Sequence, residues 1–152
     1  MKIYIGADHA GYELKEMLKF YLQGRGYEVI DKGALEYNEA DDYPDFVVPV
    51  AEAVAGDKDA MGIVIGKSGQ GEAICANRVM GARAAVYYGH EPEMLRLSRE
   101  HNNANVLSLG ASFFLSDEDV KSAVQMWLDT KFSNDERHVR RLAKIDKITA
   151  NG

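Results

Sequence analysis

Glu72 stands directly after a run of glycines, in Gly62-Ile-Val-Ile-Gly-Lys-Ser-Gly-Gln-Gly-Glu72. Ile63 to Ile65 read as a buried strand and Glu72 as the opening of a helix. The glycine-rich turn between them can present backbone N–H groups to an anionic ligand. That cradle runs from Lys67 through Ser68, Gly69 and Gln70 to Gly71. A carboxylate repels phosphate, so Glu72 should face a part of the ligand that has a proton to give. The chemistry implied is a base working beside a held oxyanion. A competing reading makes Glu72 an acid in the first turn of a helix, favoured by the dipole and chemically idle. Gly66-Lys67-Ser68 looks like the end of a P-loop, but position 61 is Met where that motif needs glycine. The glycine order does not fit the dinucleotide fingerprint either.

Three further groups of residues could do chemistry. Asp8 and His9 lie between Gly6 and Gly11, after the first strand, where they could meet a sugar or a phosphate. Asp8 fits equally well as the cap of the helix that follows. His101 ends a helix beside Asn102 and Asn103, polar groups able to orient a substrate hydroxyl, whereas His90 reads as a surface residue. Arg137 and Arg141, four apart, share a helix face that suits two-point phosphate recognition, or simply a solvated surface. A C-terminal helix often docks on a neighbouring subunit, which would carry these arginines to another chain's loop. The single cysteine, Cys75, excludes an internal disulfide and a cysteine-cluster metal site, and its helical apolar context makes it a small core residue.

The elements that must position these groups alternate along the chain. Strands are expected at Lys2–Gly6, Tyr27–Asp31, Gly62–Ile65, Arg83–Tyr88 and Val106–Gly110. Helices are expected over Tyr12–Gln23 with Gly24 as the stop, from Pro44 to about Ala55, from the glycine loop to Asn77, and over Glu91–His101. Ser116 caps a further helix with acids in its first turn and Val120, Ala123, Val124, Trp127 and Leu128 on one face. A charged helix spans about 135–150. Five short apolar strands joined by helices imply a single α/β domain over 1–152, a three-layer α/β/α sandwich on a parallel, Rossmann-like sheet. In such sheets ligands bind beyond the carboxyl ends of the strands. A net charge of −6 argues against general nucleic-acid binding, which needs a basic surface. No stretch reaches membrane-spanning length, and the N-terminus reads as a strand, so a cytoplasmic protein handling a small molecule is expected.

Taken together, the segments resemble the type B ribose-5-phosphate isomerase family, which includes the galactose-6-phosphate isomerase subunits. The resemblance rests on Gly6-Ala-Asp-His-Ala-Gly-Tyr12, Tyr27-Glu-Val-Ile-Asp-Lys-Gly33, Asp42-Tyr-Pro44, Gly62–Gly66 with Ser68-Gly-Gln-Gly-Glu72, Ala76-Asn77, Arg99-Glu-His-Asn-Asn-Ala-Asn105, and Arg137-His138 with Arg141. It implies an aldose–ketose isomerase that works through an enediolate without metal or cofactor. By position, Glu72 would be the base, Ser68 would shuttle the hydroxyl proton, and Lys67–Gly71 would cradle the oxyanion. Asp8, His9 and Tyr43 would contact the sugar, His101 would open its ring, Asn102 would bind it, and Arg137 and Arg141 would hold the phosphate. The resemblance also implies a homodimer, or a dimer of dimers, in which the histidine and arginines come from the partner chain.

Two positions depart from the family pattern. Many relatives carry a cysteine base where this chain has Gly66, so catalysis must rest on Glu72 and not on Cys75. An arginine usual near the end of the fifth strand is replaced here in Gly110-Ala-Ser112, a gap that Lys67 could fill. Ribose 5-phosphate is the leading substrate. A four- or six-carbon sugar phosphate, motivated by Ser112, and a non-catalytic sugar-phosphate-binding partner subunit are the alternatives.

Overall fold

Ile3 and Ile5, Ile63 and Ile65, and Leu107 and Leu109 occupy every second position of three neighbouring strands, and all are fully buried. Side chains of a strand alternate between faces, so this set lines one side of a sheet while Tyr4, Val64 and Val106 line the other. A computed structural model, which describes residues 1–150, contains five parallel strands: β1 (Lys2–Ala7), β2 (Glu28–Asp31), β3 (Ala60–Gly66), β4 (Ala84–Tyr87) and β5 (Val106–Gly110). Their order across the sheet is β2-β1-β3-β5-β4. Asn151 and Gly152, which the expected domain includes, lie outside the described residues.

Burial on both faces explains the near-continuous apolar strands. One face is covered by α1 (Tyr12–Gly24), α4 (Pro92–Glu100) and α5 (Asp117–Asp129), through Leu18, Leu22, Leu95, Val120, Val124 and Trp127. The other is covered by α2 (Pro44–Gly56) and α3 (Gln70–Ala76), through Val47, Val50, Ala51, Val54 and Ala76. This is the expected three-layer α/β/α sandwich. The five residues placed on the apolar face of α5 are all buried, and Ser116 caps that helix by accepting a hydrogen bond from the Asp119 N–H at 3.2 Å. Pro44 begins α2 as expected.

Gly24 ends α1 as expected, and the turn after it uses Gly26, whose φ of 91° only glycine adopts readily. Smaller features differ. Cys75 is half-buried, on the rim of the α2–α3 cluster, because α3 is too short to sink both faces. The last helix, α6 (Glu136–Ala150), stands apart from both layers: up to residue 148, only His138 is buried. Val139, Ile145 and Ile148 are exposed on it.

The reversal of strand order beside β1 and β3 places the ends of these strands next to one another, with Ala7 paired to Ile65 and Gly66 to Gly110. Loops that follow β1, β3 and β5 therefore meet at one edge of the sheet, the crevice position of an open α/β fold.

Candidate active site

The loop after β3 is built for close approach. Gly69, in the left-handed region at φ 78°, ends it, and a Cβ there would sit 3.1 Å from Leu109 C and Ser108 O. Its carbonyl accepts a 2.6 Å hydrogen bond from the buried Ser108 hydroxyl, which ties the loop to β5. Ser68 Oγ accepts from the Gln70 N–H at 3.3 Å. Tyr43, the residue before α2, lies over Gly71: a Cβ there would be 2.8 Å from its Cζ and its hydroxyl oxygen. Lys67 is exposed, and its carbonyl accepts from the Ser112 N–H at 3.1 Å. Positions 67 and 112 are thus joined backbone to backbone across the loops after β3 and β5.

Glu72, in the first turn of α3, is 4% exposed. Its carboxylate fills the space where a side chain at Gly66 would begin, because a Cβ on Gly66 would lie 1.8 Å from Oε1 and 2.2 Å from Cδ. Burial pushes the Glu72 carboxyl up; its own backbone N–H opposes this, and the charge of Asp8 adds to it. A carboxylate so desolvated is a stronger base than one in water.

Asp8 is buried and caps the short turn His9–Gly11, accepting from the Ala10 N–H at 3.1 Å. Capping and proximity to Glu72 therefore coexist. Burial raises the Asp8 carboxyl as well, with the neighbouring His9 opposing. His9 is bound by Asp41, to Oδ1 of which its backbone N–H and ring Nδ1 lie at 3.0 and 2.7 Å. Asp8, His9 and Asp41 have ligand-type atoms within 4.8 Å of one another. The closest pair is already engaged as a hydrogen bond, so the trio reads as a dyad beside a capping acid.

His101 and Asn102 follow α4 and precede β5, at the opposite edge of the sheet. From Gly62↔Val106 to Gly66↔Gly110 the paired strands span about 13 Å. Among the described residues, no hydrogen bond, ion pair or ring contact joins these two to the glycine loop. The His101 ring instead stacks on His138 of α6, 4.2 Å between centroids and 33° between planes. Buried His138 has its Nδ1 3.1 Å from Ser133 Oγ, and burial, with His101 and Arg137 nearby, holds its imidazole below the ordinary value. Arg137 is exposed beside Asp135 at 3.6 Å, and Arg141 is exposed one turn on. Asn102 lines a cleft of about 310 Å³ with Leu142 and Ile145 of α6. The expected site residues of one chain therefore fall into two groups, at opposite edges of its sheet.

Some motif residues are structural. Asn77 closes a pair of hydrogen bonds with Ala84, and Asn105 does the same for the Arg83 N–H and the Gly81 carbonyl. Asn103 has φ 45° and presents its carbonyl to Arg83 Nε. Two residues of the site were missed by sequence reasoning. Ser108 sits inside an apolar strand, and a buried hydroxyl there is a signal that something must be held. Asp41 is hidden in an acidic loop, where nothing in the spacing marks it off from its neighbours.

A family model described as Ribose/Galactose Isomerase matches residues 3–145. A ribose-5-phosphate isomerase B of Mycobacterium tuberculosis is 42% identical over 142 residues, covering 93% of this chain and 86% of that protein. The solved ribose-5-phosphate isomerase B of Clostridium thermocellum superposes with a TM-score of 0.91 at 46% identity, covering 99% of both chains. That of Mycoplasma genitalium, solved with bound ribulose-5-phosphate, superposes with a TM-score of 0.92 at 34% identity, covering 99% of this chain and 97% of that one.

Proposed function

This chain belongs to the ribose/galactose isomerase family, and from that premise we propose that it interconverts ribose 5-phosphate and ribulose 5-phosphate without a cofactor. Glu72 removes the proton from C2 and returns it to C1 through an enediolate. The amides of Lys67–Gly71 hold the developing oxyanion, a fixed set of dipoles whose loss costs on the order of 100-fold or more. Ser68 passes the hydroxyl proton, and Asp8, His9 and Tyr43 contact the sugar. His101 opens the ring, Asn102 holds it, and Arg137 and Arg141 bind the phosphate, whose remote binding energy positions the reacting carbons.

The observation that carries this reading is the Glu72 carboxylate, buried and pushed up in basicity at the foot of a glycine loop, in space left open by Gly66. A pure binding subunit has no use for such a group. The division of the residues between two sheet edges supports a second copy of the chain as the source of His101, Asn102, Arg137 and Arg141. The exposed, amphipathic α6 would dock against it.

A coupled isomerase assay on ribose 5-phosphate, with wild type and Glu72→Gln purified in parallel, tests the reading. Activity that falls about 100- to 10,000-fold in the variant is expected for loss of a general base. Equal activity in both would remove Glu72 from the reaction. One observation favours a second substrate: position 112 offers a hydroxyl where an arginine would offer charge, and its N–H is bonded to the Lys67 carbonyl. If ribose 5-phosphate is not turned over, four- and six-carbon sugar phosphates come next. Binding of sugar phosphate without exchange of the C2 proton into deuterium oxide would favour the non-catalytic subunit.

A further inference from the structure

Asp41 lies in the loop between β2 and α2 and holds His9 at two points. One oxygen, Oδ1, accepts from the His9 backbone N–H at 3.0 Å and lies 2.7 Å from ring Nδ1. The Asp41 side chain is 9% exposed and that of His9 34%. The second oxygen, Oδ2, is buried and has no hydrogen-bond partner among the described residues. An ionised carboxylate only accepts, so Nδ1 must carry the proton in this bond, which leaves Nε2 as the nitrogen open to a ligand. A carboxylate removed from water with one oxygen unserved needs a nearby positive charge, and the ring it already holds is the group that can supply one.

We propose that Asp41 is a positioning residue that holds His9 in one orientation as an imidazolium, so that Nε2–H meets the anionic group of the sugar phosphate. This rests on the reading of His9 as a substrate contact. It gives the phosphate a cation from the same chain as Glu72, in addition to those a second copy would bring. The groups facing the ring are Asp8, whose Oδ2 is 4.0 Å from Nδ1, Asp41 and Glu39 of the loop, and Tyr37, edge-on with centroids 6.4 Å apart. Three of the four are carboxylates. The Asp41 bond, then Asp8 and Glu39, favour the protonated ring, against partial burial.

The test needs no substrate at first. In the free wild-type protein, 15N-labelled imidazoles are titrated by long-range 1H–15N NMR, with His9 assigned from its absence in His9→Gln. His9 is expected to stay protonated at Nδ1 throughout and to titrate above the ordinary value near 6.5. Titration at or below that value overturns the proposal, whether or not any variant folds. Asp41→Asn is then expected to raise KM for ribose 5-phosphate about 10-fold, with a smaller change in kcat. It should also move the alkaline limb of kcat/KM to lower pH. In a His9→Gln background the same change should add little. Additive effects, or a fall in kcat and Tm with the alkaline limb unmoved, would show a merely structural role and overturn the proposal. A protein that does not act on ribose 5-phosphate sinks the proposed function separately. The His9 titration, with and without inorganic phosphate, still decides the dyad.

Discussion

Gly66 and Glu72 share one volume. The carboxylate occupies the place where any side chain on Gly66 would start, so the missing side chain at 66 and the acid at 72 are a single feature. Gly66 has no positive φ, so alanine is tolerated by the backbone there, and the obstacle is the far end of a side chain. Gly66→Ala is therefore expected to fold with a modest loss of Tm while lowering kcat about 100-fold, as the carboxylate is pushed from its seat. A loss of activity matched by gross unfolding would mean that the volume is structural. The buried acid also has a cost in stability. Its pKa is raised in the folded state, so its stabilising contribution is present below the unfolded value near 4.5 and is lost as pH rises through the folded value. Glu72→Gln should then have a higher Tm than wild type at neutral pH, with the difference closing toward pH 4. The acid limb of kcat/KM in wild type should lie above the range of an ordinary glutamate. A wild type more stable than Glu72→Gln at pH 7 would contradict both expectations.

At the level of elements, the glycine loop is held from below by β5. The buried Ser108 hydroxyl donates to the Gly69 carbonyl beside the Ala73 N–H, which reaches the same oxygen at 3.1 Å, at a residue whose own φ of 78° demands glycine. Ser108→Ala removes that bond and leaves the Gly69 carbonyl with the Ala73 N–H alone, so a loss of about 0.5–1.5 kcal/mol is expected in denaturant unfolding. A fall in kcat should accompany it as the cradle loosens; unchanged stability would show that the loop does not lean on this bond. The order and type of the elements were legible from sequence because the physics was local: apolar runs broken by glycine, helical spacing of Val120, Val124 and Trp127, and the Ser116 cap. The Gly24 stop was legible too, whereas the positive φ of Gly26 in the turn that follows is a demand that only the turn geometry reveals. Ser108 and Asp41 were not legible as partners. A hydroxyl in a strand and an acid in a loop acquire their meaning from residues 39 and 32 positions away.

At the level of the whole molecule, a parallel sheet separates the loops at its two ends, and no side-chain rearrangement within one chain closes that gap. Glu72 belongs to the carboxyl edge, and His101 with Asn102 to the amino edge. The residue types at each edge could be read from sequence, because glycines, histidines and paired arginines carry their chemistry with them. Their separation could not, because it follows from which side of the sheet each loop closes. If a second copy completes the site, each active site takes Glu72 from one chain and His101 from the other. Glu72→Gln and His101→Asn homodimers would then each carry two broken sites. In a mixed dimer, one site would be broken twice and the other intact. Random reassociation makes about half of the dimers mixed, so activity should recover to about a quarter of wild type from two inactive preparations. Unfolding and refolding the two variants together, then assaying isomerase activity across mixing ratios, should give a curve that peaks at equal amounts. No recovery, with native mass spectrometry of one 15N-labelled variant confirming that mixed dimers have formed, would place Glu72 and His101 in the same site of the same chain or remove one of them from the reaction. Since the sheet keeps them about 13 Å or more apart within a chain, the second outcome would point to His101 as the residue without a catalytic part.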